Sequence, residues 1–197
     1  MDSSRRYPLQ RKWCIWEQWN QNENTSGDFL NYMENIGSFE TLHSFWQHWH
    51  VLPHSDPTKL FFNRKENVRK VIAERHKHID GIGLFEEGVQ PAWEDEVNKN
   101  GSDILARKEF EWDKLKDLWT RLVFAVIGET LPYSELIVGV RIIDKYYTYK
   151  IEIWLRQDLK KSENAEKLEV MKEKIKEVVF KDVEVELSVN SHKPQTK

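Results

Sequence analysis

The sequence predicts an α+β fold: one curved antiparallel β-sheet with about three α-helices packed on its convex face. Three observations carry this. Short apolar runs suited to strands recur along the 197 residues, three stretches place apolar residues at helical spacing, and strands and helices do not alternate in βαβ order. At this length, with 39% apolar and 32% charged residues, one domain is expected. It is assigned to residues 7–190, between a flexible leader at 1–6 and a polar tail at 191–197.

Trp13 to Trp19 reads as the first strand, followed by a polar loop at 20–27 and a short strand at Tyr32 to Ile36. Ser38 sits where an N-cap belongs. Phe39, Leu42, Phe45, Trp46 and Trp49 then predict a helix from Phe39 to about His50, stopped by Pro53 and Pro57. From about 53 to 80 the composition turns basic, with Lys or Arg at 59, 64, 65, 69, 70, 75 and 77 against acids at 56, 66 and 74. Only Val68, Val71 and Ile72 offer an apolar stripe there, so this segment is expected to be a surface insertion rather than core.

A Gly- and Pro-punctuated loop spans Gly81 to Glu96, and Ile104 to Phe110 is the next strand. Leu115, Leu118, Trp119, Leu122, Val123, Val126 and Ile127 make the strongest helical stripe, with Gly128 at its C′ position. Glu135 to Ile143 and Tyr147 to Leu155 predict two strands joined tightly around residues 144–146. Ser162 then caps a helix facing Leu168, Met171, Ile175 and Val178 inward, and Asp182 to Val189 alternates as a closing strand.

Charge and composition exclude several functions. The formal net charge is −3 and the pI about 6.2, so any nucleic-acid contact is local rather than a general grip on phosphates. No apolar run approaches a membrane span, and the start lacks an apolar signal core. The single Cys14 allows no internal disulfide, which suits a reducing compartment, cytosol or nucleus. His48-Trp49-His50 and His76-Lys77-His78 have no Cys or carboxylate geometry to complete a metal site, and Gly81-Ile82-Gly83 lacks a phosphate loop's third Gly. No catalytic residue, metal or cofactor is expected. What stands out is tryptophan, present nine times, a residue suited to filling a core or stacking on a flat ligand.

Tyr7-Pro8-Leu9-Gln10-Arg11-Lys12-Trp13 and Ser38-Phe39-Glu40-Thr41-Leu42 through Trp46 open a resemblance. It strengthens at Leu84-Phe85-Glu86-Glu87-Gly88-Val89-Gln90-Pro91-Ala92-Trp93-Glu94-Asp95-Glu96 and continues through Phe124 to Glu129, Lys150-Ile151-Glu152-Ile153-Trp154 and Ser191-His192. In this order the stretches resemble the eukaryotic translation initiation factor 4E family, which binds the 5′ cap of messenger RNA. The resemblance implies a cap slot on the concave side of the sheet. A guanine methylated at N7 is cationic, so two aromatic faces can sandwich it with a cation–π contribution, and one carboxylate can accept both its N1 and N2 donors.

By that resemblance Trp93 is one stacking plane, Glu94 the bidentate acceptor, Trp154 the contact to the N7 methyl, and Lys150 a phosphate contact. Ordinary alternatives stay open: a loop indole beside a solvated acid, and a core Trp on an alternating strand. Counting back from Phe39, the second plane falls on Phe29 where most members carry Trp, with Tyr32 and Trp19 as alternatives. The phosphate side departs from the family. Asp103 stands in place of an Arg, Lys145 falls where an Arg precedes the hairpin turn, and Tyr147 replaces a second Lys, so Lys145 and Lys150 are the expected cations. Lys145 could also be a solvated turn residue. Tyr146, Tyr147 and Tyr149 suit either cross-strand packing or stacking on nucleotides beyond the first.

The resemblance implies a second surface for a partner helix carrying a Tyr-x-x-x-x-Leu-apolar motif, an initiation factor 4G-like scaffold or a 4E-binding repressor. Pro8, Leu42, Trp46, Phe124 and Gly128 occupy the matching positions. Leu42 and Trp46, four apart, share a helix face, although a core role for Trp46 stays open. The expected protein is cytoplasmic, with a nuclear pool compatible, and a monomer within a heteromeric complex. The other readings are a scaffold of the same fold whose cap pocket has weakened, and an aromatic cage for methylated amines.

Overall fold

Alternation along the strands decides the architecture. In the computed structural model, which describes residues 7–20, 29–69, 71 and 77–193, seven strands pair in the order β2-β1-β3-β5-β6-β4-β7. They are β1 (Pro8–Trp19), β2 (Met33–Thr41), β3 (Ile79–Glu86), β4 (Ser102–Lys108), β5 (Ile137–Asp144), β6 (Tyr149–Leu155) and β7 (Ser188–Ser191). Every pairing is antiparallel. Trp13, Ile82, Ile104, Val140 and Ile151 belong to the main core, which α1 (Leu42–Val51), α2 (Leu115–Ile127) and α3 (Ala165–Val178) close from one side. Phe85 and Trp154, out of phase with these, and Val138, turned over by the register shift between Ile137 and Gly139, form a smaller cluster with Trp16, Trp93 and Val97 on the other face. The α+β sheet with three helices expected from the pattern is the fold observed. No helix among the described residues is long and apolar enough to cross a membrane.

Several boundaries differ from the sequence expectation, each for a local reason. Phe39 stays in β2, paired with Trp13, so that strand runs on to Thr41 and α1 starts three residues later than spacing suggested. Thr41, not Ser38, is the cap. Its Oγ1 accepts from Ser44 N while Ser44 Oγ accepts from Thr41 N, both at 3.1 Å. Gly128 ends α2 in a right-handed conformation, and Glu129 takes the positive φ expected of the glycine. The glycine is needed for space, because a Cβ there would lie 2.9 Å from the Phe124 carbonyl oxygen. Ser162 opens a 3-10 turn at Ser162–Asn164, and α3 begins only at Ala165.

The basic stretch at 53–80 is corrected in its described part. Leu60, Phe61 and Phe62 are buried, the first two in the main core, and β3 already starts at Ile79. Among its described cations, Lys59 and Lys65 are exposed, whereas Arg64 and Arg69 turn inward. Arg69 Nη1 reaches Asp80 at 2.8 Å, and buried Asp144 takes Arg64, Arg69 and the Phe62 and Tyr146 amides. The contiguous Leu60-Phe61-Phe62 triplet has no helical or strand period, which is why a pattern search passes over it. Lys70 and residues 72–76 lie outside the described residues. The closing strand also falls later than its alternation suggested: β7 pairs Ser188–Ser191 with β4, and His192 beyond it is buried, so the polar tail does not begin at 191.

Candidate functional site

The loop from β3 to β4 is held by two side chains of its own. Asn98, fully buried, donates through Nδ2 to the carbonyls of Gln90 (2.7 Å) and Ala92 (2.9 Å). Asp95 accepts from the amides of Gln90 (3.0 Å) and Val97 (2.9 Å). Gly101 closes the loop where only glycine fits, since a Cβ would lie 2.0 Å from the Leu155 carbonyl oxygen. So restrained, the loop presents Trp93, half-buried, beside exposed Glu94. One face of the Trp93 indole lies on the His192 imidazole, with centroids 5.8 Å apart and planes at 16°. His192 is anchored through Nδ1 to the Asn98 carbonyl at 2.7 Å, and burial pushes its pKa below the ordinary value. A neutral ring therefore backs Trp93.

The floor comes from adjacent strands in register. On β6, Lys150, Glu152 and Trp154 share a face by period two, and Glu152 lies opposite Arg141 of β5 while Trp154 lies opposite Asp103 of β4. The Arg141 guanidinium sits 4.8 Å from the Trp154 ring centroid. Glu152 is fully buried and pairs with both Arg141 and Lys150, and its Oε2 also accepts from Trp154 Nε1 at 3.1 Å. Burial alone would raise the Glu152 carboxyl, but the two cations outweigh it and hold its pKa at about 2. Asp103 shows the reverse balance. Burial, then the Glu152 charge, push it up to about 6, although Asn190 Nδ2 donates to it at 3.2 Å.

Between loop and floor lies a cavity of about 270 Å³ lined by Pro91, Ala92, Trp93, Glu94, Arg141, Lys150 and Trp154. Four of the six residues expected for the cap site, Trp93, Glu94, Lys150 and Trp154, thus come together. Trp154 is only 1% exposed, so it is floor and core at once. Lys145 is not on the wall: it stands exposed in the turn after β5, and Arg141, four residues earlier, lines the cavity beside Lys150. Phe29 opens a 3-10 turn, Phe29–Tyr32, but its side chain lies outside the described residues. The alternatives Trp19 and Tyr32 are buried at 6% and 7% exposure, and Trp19 Nε1 donates to Glu34 at 3.1 Å. Tyr149 points into the helix-side core, whereas Tyr146 stacks on Phe62 (5.0 Å, 9°) and Tyr147 projects at 74% exposure.

Arg141, Glu152, Asp103 and His192 are the site residues that motif reading left without a role. For three of them a signal existed: alternation on β6 puts Glu152 between Lys150 and Trp154, and pairing then selects Arg141 and Asp103. His192 stands in the resemblance at Ser191-His192, but nothing in the sequence gives a role to a polar residue just past a short edge strand.

Across the sheet, the expected partner residues form a surface of their own. Trp46 of α1 and Phe124 of α2 meet edge to face (5.6 Å, 79°) and remain 40% and 38% exposed. Leu42 is 39% exposed on the same helix as Trp46, and its amide donates to the Tyr7 carbonyl at 2.8 Å. Pro8 pairs with Thr41, placing the start of β1 beside them, and Gly128 lies one turn beyond Phe124. Trp46 is therefore a surface residue, not core.

The model of the eukaryotic initiation factor 4E family matches residues 8–197. Eukaryotic translation initiation factor 4E of Candida albicans is 26% identical over 195 residues, covering 95% of this chain and 80% of that protein. The factors of Dictyostelium discoideum (24%) and Drosophila melanogaster (4E1, 28%) match 77% and 76% of this chain, which spans only 53% and 50% of their length. Among solved structures, Ascaris suum eIF4E-3 with an m2,2,7G cap has a TM-score of 0.70 at 21% identity, covering 98% of this chain and 94% of its own. C. elegans eIF4E-3 in complex with the 4E-binding protein Mextli has a TM-score of 0.69 at 21% identity, over 95% and 94% of the two chains. At such identities these structures speak to the fold.

Proposed function

The chain belongs to the eukaryotic initiation factor 4E family, and from that premise we propose that it binds the 7-methylguanosine cap of messenger RNA in the cavity beside Trp93. The observation that carries this reading is the cavity's make-up: an indole backed by a neutral imidazole, a carboxylate next to it, and two cations on the far wall. A methylated guanine stacked on the open face of Trp93 gains cation–π attraction, and Glu94 accepts its N1 and N2 donors in a pair that adenine cannot reproduce. Arg141 and Lys150 then meet the phosphates, and Phe29 is the second plane. Recognition of this kind breaks no bond, and no cofactor is required.

The opposite face serves the partner. Leu42, Trp46 and Phe124 form an aromatic anchor site for the apolar side of a Tyr-x-x-x-x-Leu helix, carried by a 4G-like scaffold or a 4E-binding repressor. The C. elegans eIF4E-3 structure with Mextli and the Ascaris eIF4E-3 structure with a cap support this pairing of functions. The protein acts in the cytoplasm as one chain of such a complex.

Titration with 7-methylguanosine triphosphate, followed by tryptophan fluorescence, tests the proposal. Saturable quenching is expected from the methylated nucleotide, with at least about tenfold weaker binding for GTP and for the Glu94→Ala protein, since each loses a charge-assisted contact or the cation–π contribution. Absence of quenching at millimolar ligand would leave the scaffold reading, carried by the Trp46 surface alone.

A further inference from the structure

Both cations on the cavity wall are already engaged. Glu152 lies buried between them, pairing with Arg141 through Oε2 and with Lys150 through Oε1, while Trp154 Nε1 donates to Oε2. The sheet enforces the arrangement, because Arg141 is directly opposite Glu152 and Lys150 precedes it on the same face. A second buried carboxyl, Asp103, faces the same side from β4, held by Asn190 at 3.2 Å. With both acids ionised, the two negative charges balance Arg141 and Lys150. An anion that enters the cavity meets no net positive floor, because each cation it recruits already faces the Glu152 carboxylate.

Resting on the cap-binding reading above, we propose that Glu152 is an internal anion that occupies the phosphate-facing cations, so that the pocket selects its ligand by the methylated base and gains little from the second and third phosphates. Glu152 is a positioning and specificity-determining residue here. It touches the two groups that touch phosphate and leaves Trp93 and Glu94 as the discriminating contacts. A carboxylate that merely held the sheet together would change stability but not the dependence of affinity on phosphate number.

The test titrates the full chain and its Glu152→Gln variant with 7-methylguanosine mono-, di- and triphosphate at two salt concentrations. In the unaltered protein, mono- and triphosphate are expected to bind within about fivefold of one another, because no cation is left uncompensated. In Glu152→Gln the gap widens by about a further tenfold and becomes steeper with salt, as one released charge-assisted contact requires, while preference for the methylated base is kept. An identical gap in both proteins overturns the proposal. So does a gap of about a hundredfold or more in the unaltered protein alone, a size that needs uncompensated phosphate contacts, and this arm needs no variant to fold. Silence toward every methylated nucleotide overturns the cap reading and this one together, whereas tight monophosphate binding with an unchanged gap overturns this one alone.

Discussion

A carboxylic acid buried beside a second carboxylate resists ionisation, and Asp103 meets both conditions. Its pKa of about 6 in the folded chain lies above the ordinary 3.8, so the folded state holds the extra proton between those values. Stability therefore falls as pH rises from about 4 to 6, and is lower by up to about 3 kcal/mol above that window. Glu152 runs the other way: with a pKa lowered from 4.5 to about 2, its contribution is present above pH 4.5 and lost as pH falls through 2. Urea denaturation of Asp103→Asn beside the unaltered protein should show nearly equal slopes outside the window and a stability gap favouring the variant that opens between pH 4 and 6. A constant gap across that range would refute the assignment. Residue by residue, Trp93 and Glu94 were legible because a restrained loop preserves its motif in the chain order. Arg141 was not, because the turn at residues 145–148 displaces any count made across it, and counting landed on Lys145. Glu152 was visible in the motif but meaningless until pairing set it against Arg141.

At the scale of elements, the helices that read most clearly are those with one apolar stripe. α2 buries Leu115, Leu118, Leu122 and Val126 and keeps Phe124 outside, as its spacing implies. The start of α1 is ambiguous in the sequence because Phe39 satisfies strand and helix periods alike, and the Thr41–Ser44 capping box settles the choice. Thr41→Ala should cost about 1 kcal/mol in denaturant unfolding, with α1 docking and partner binding weakened together. The larger test concerns the segment read as an insertion. Phe61 is 2% exposed and stacks on Tyr149 at 6.2 Å, so Phe61→Ala should cost about 3–5 kcal/mol. A loss below 1 kcal/mol, the range of exposed positions, would restore the view of a dispensable surface loop.

At the scale of the whole molecule, one sheet separates two chemistries by the parity of its residues. Ile151, Ile153 and Leu155 turn toward the helices, while Lys150, Glu152 and Trp154 turn toward the cavity. The main core lies between the cavity and the Trp46–Phe124 surface, and neither set of residues contributes side chains to the other. Two sites so separated couple only if the sheet has a second arrangement to shift into, and its strands are tied by continuous antiparallel pairing from β2 to β7. Trp46→Ala should therefore weaken a peptide carrying a Tyr-x-x-x-x-Leu helix by about a hundredfold, the loss of a typical aromatic anchor. The same protein should bind 7-methylguanosine triphosphate within about twofold of the unaltered chain, as additivity of distant sites implies. Glu94→Ala should give the mirror image. Calorimetric titration of both variants with both ligands measures the four affinities directly, and a shift of about tenfold or more in the off-diagonal pair would mean that the sheet transmits binding from one face to the other.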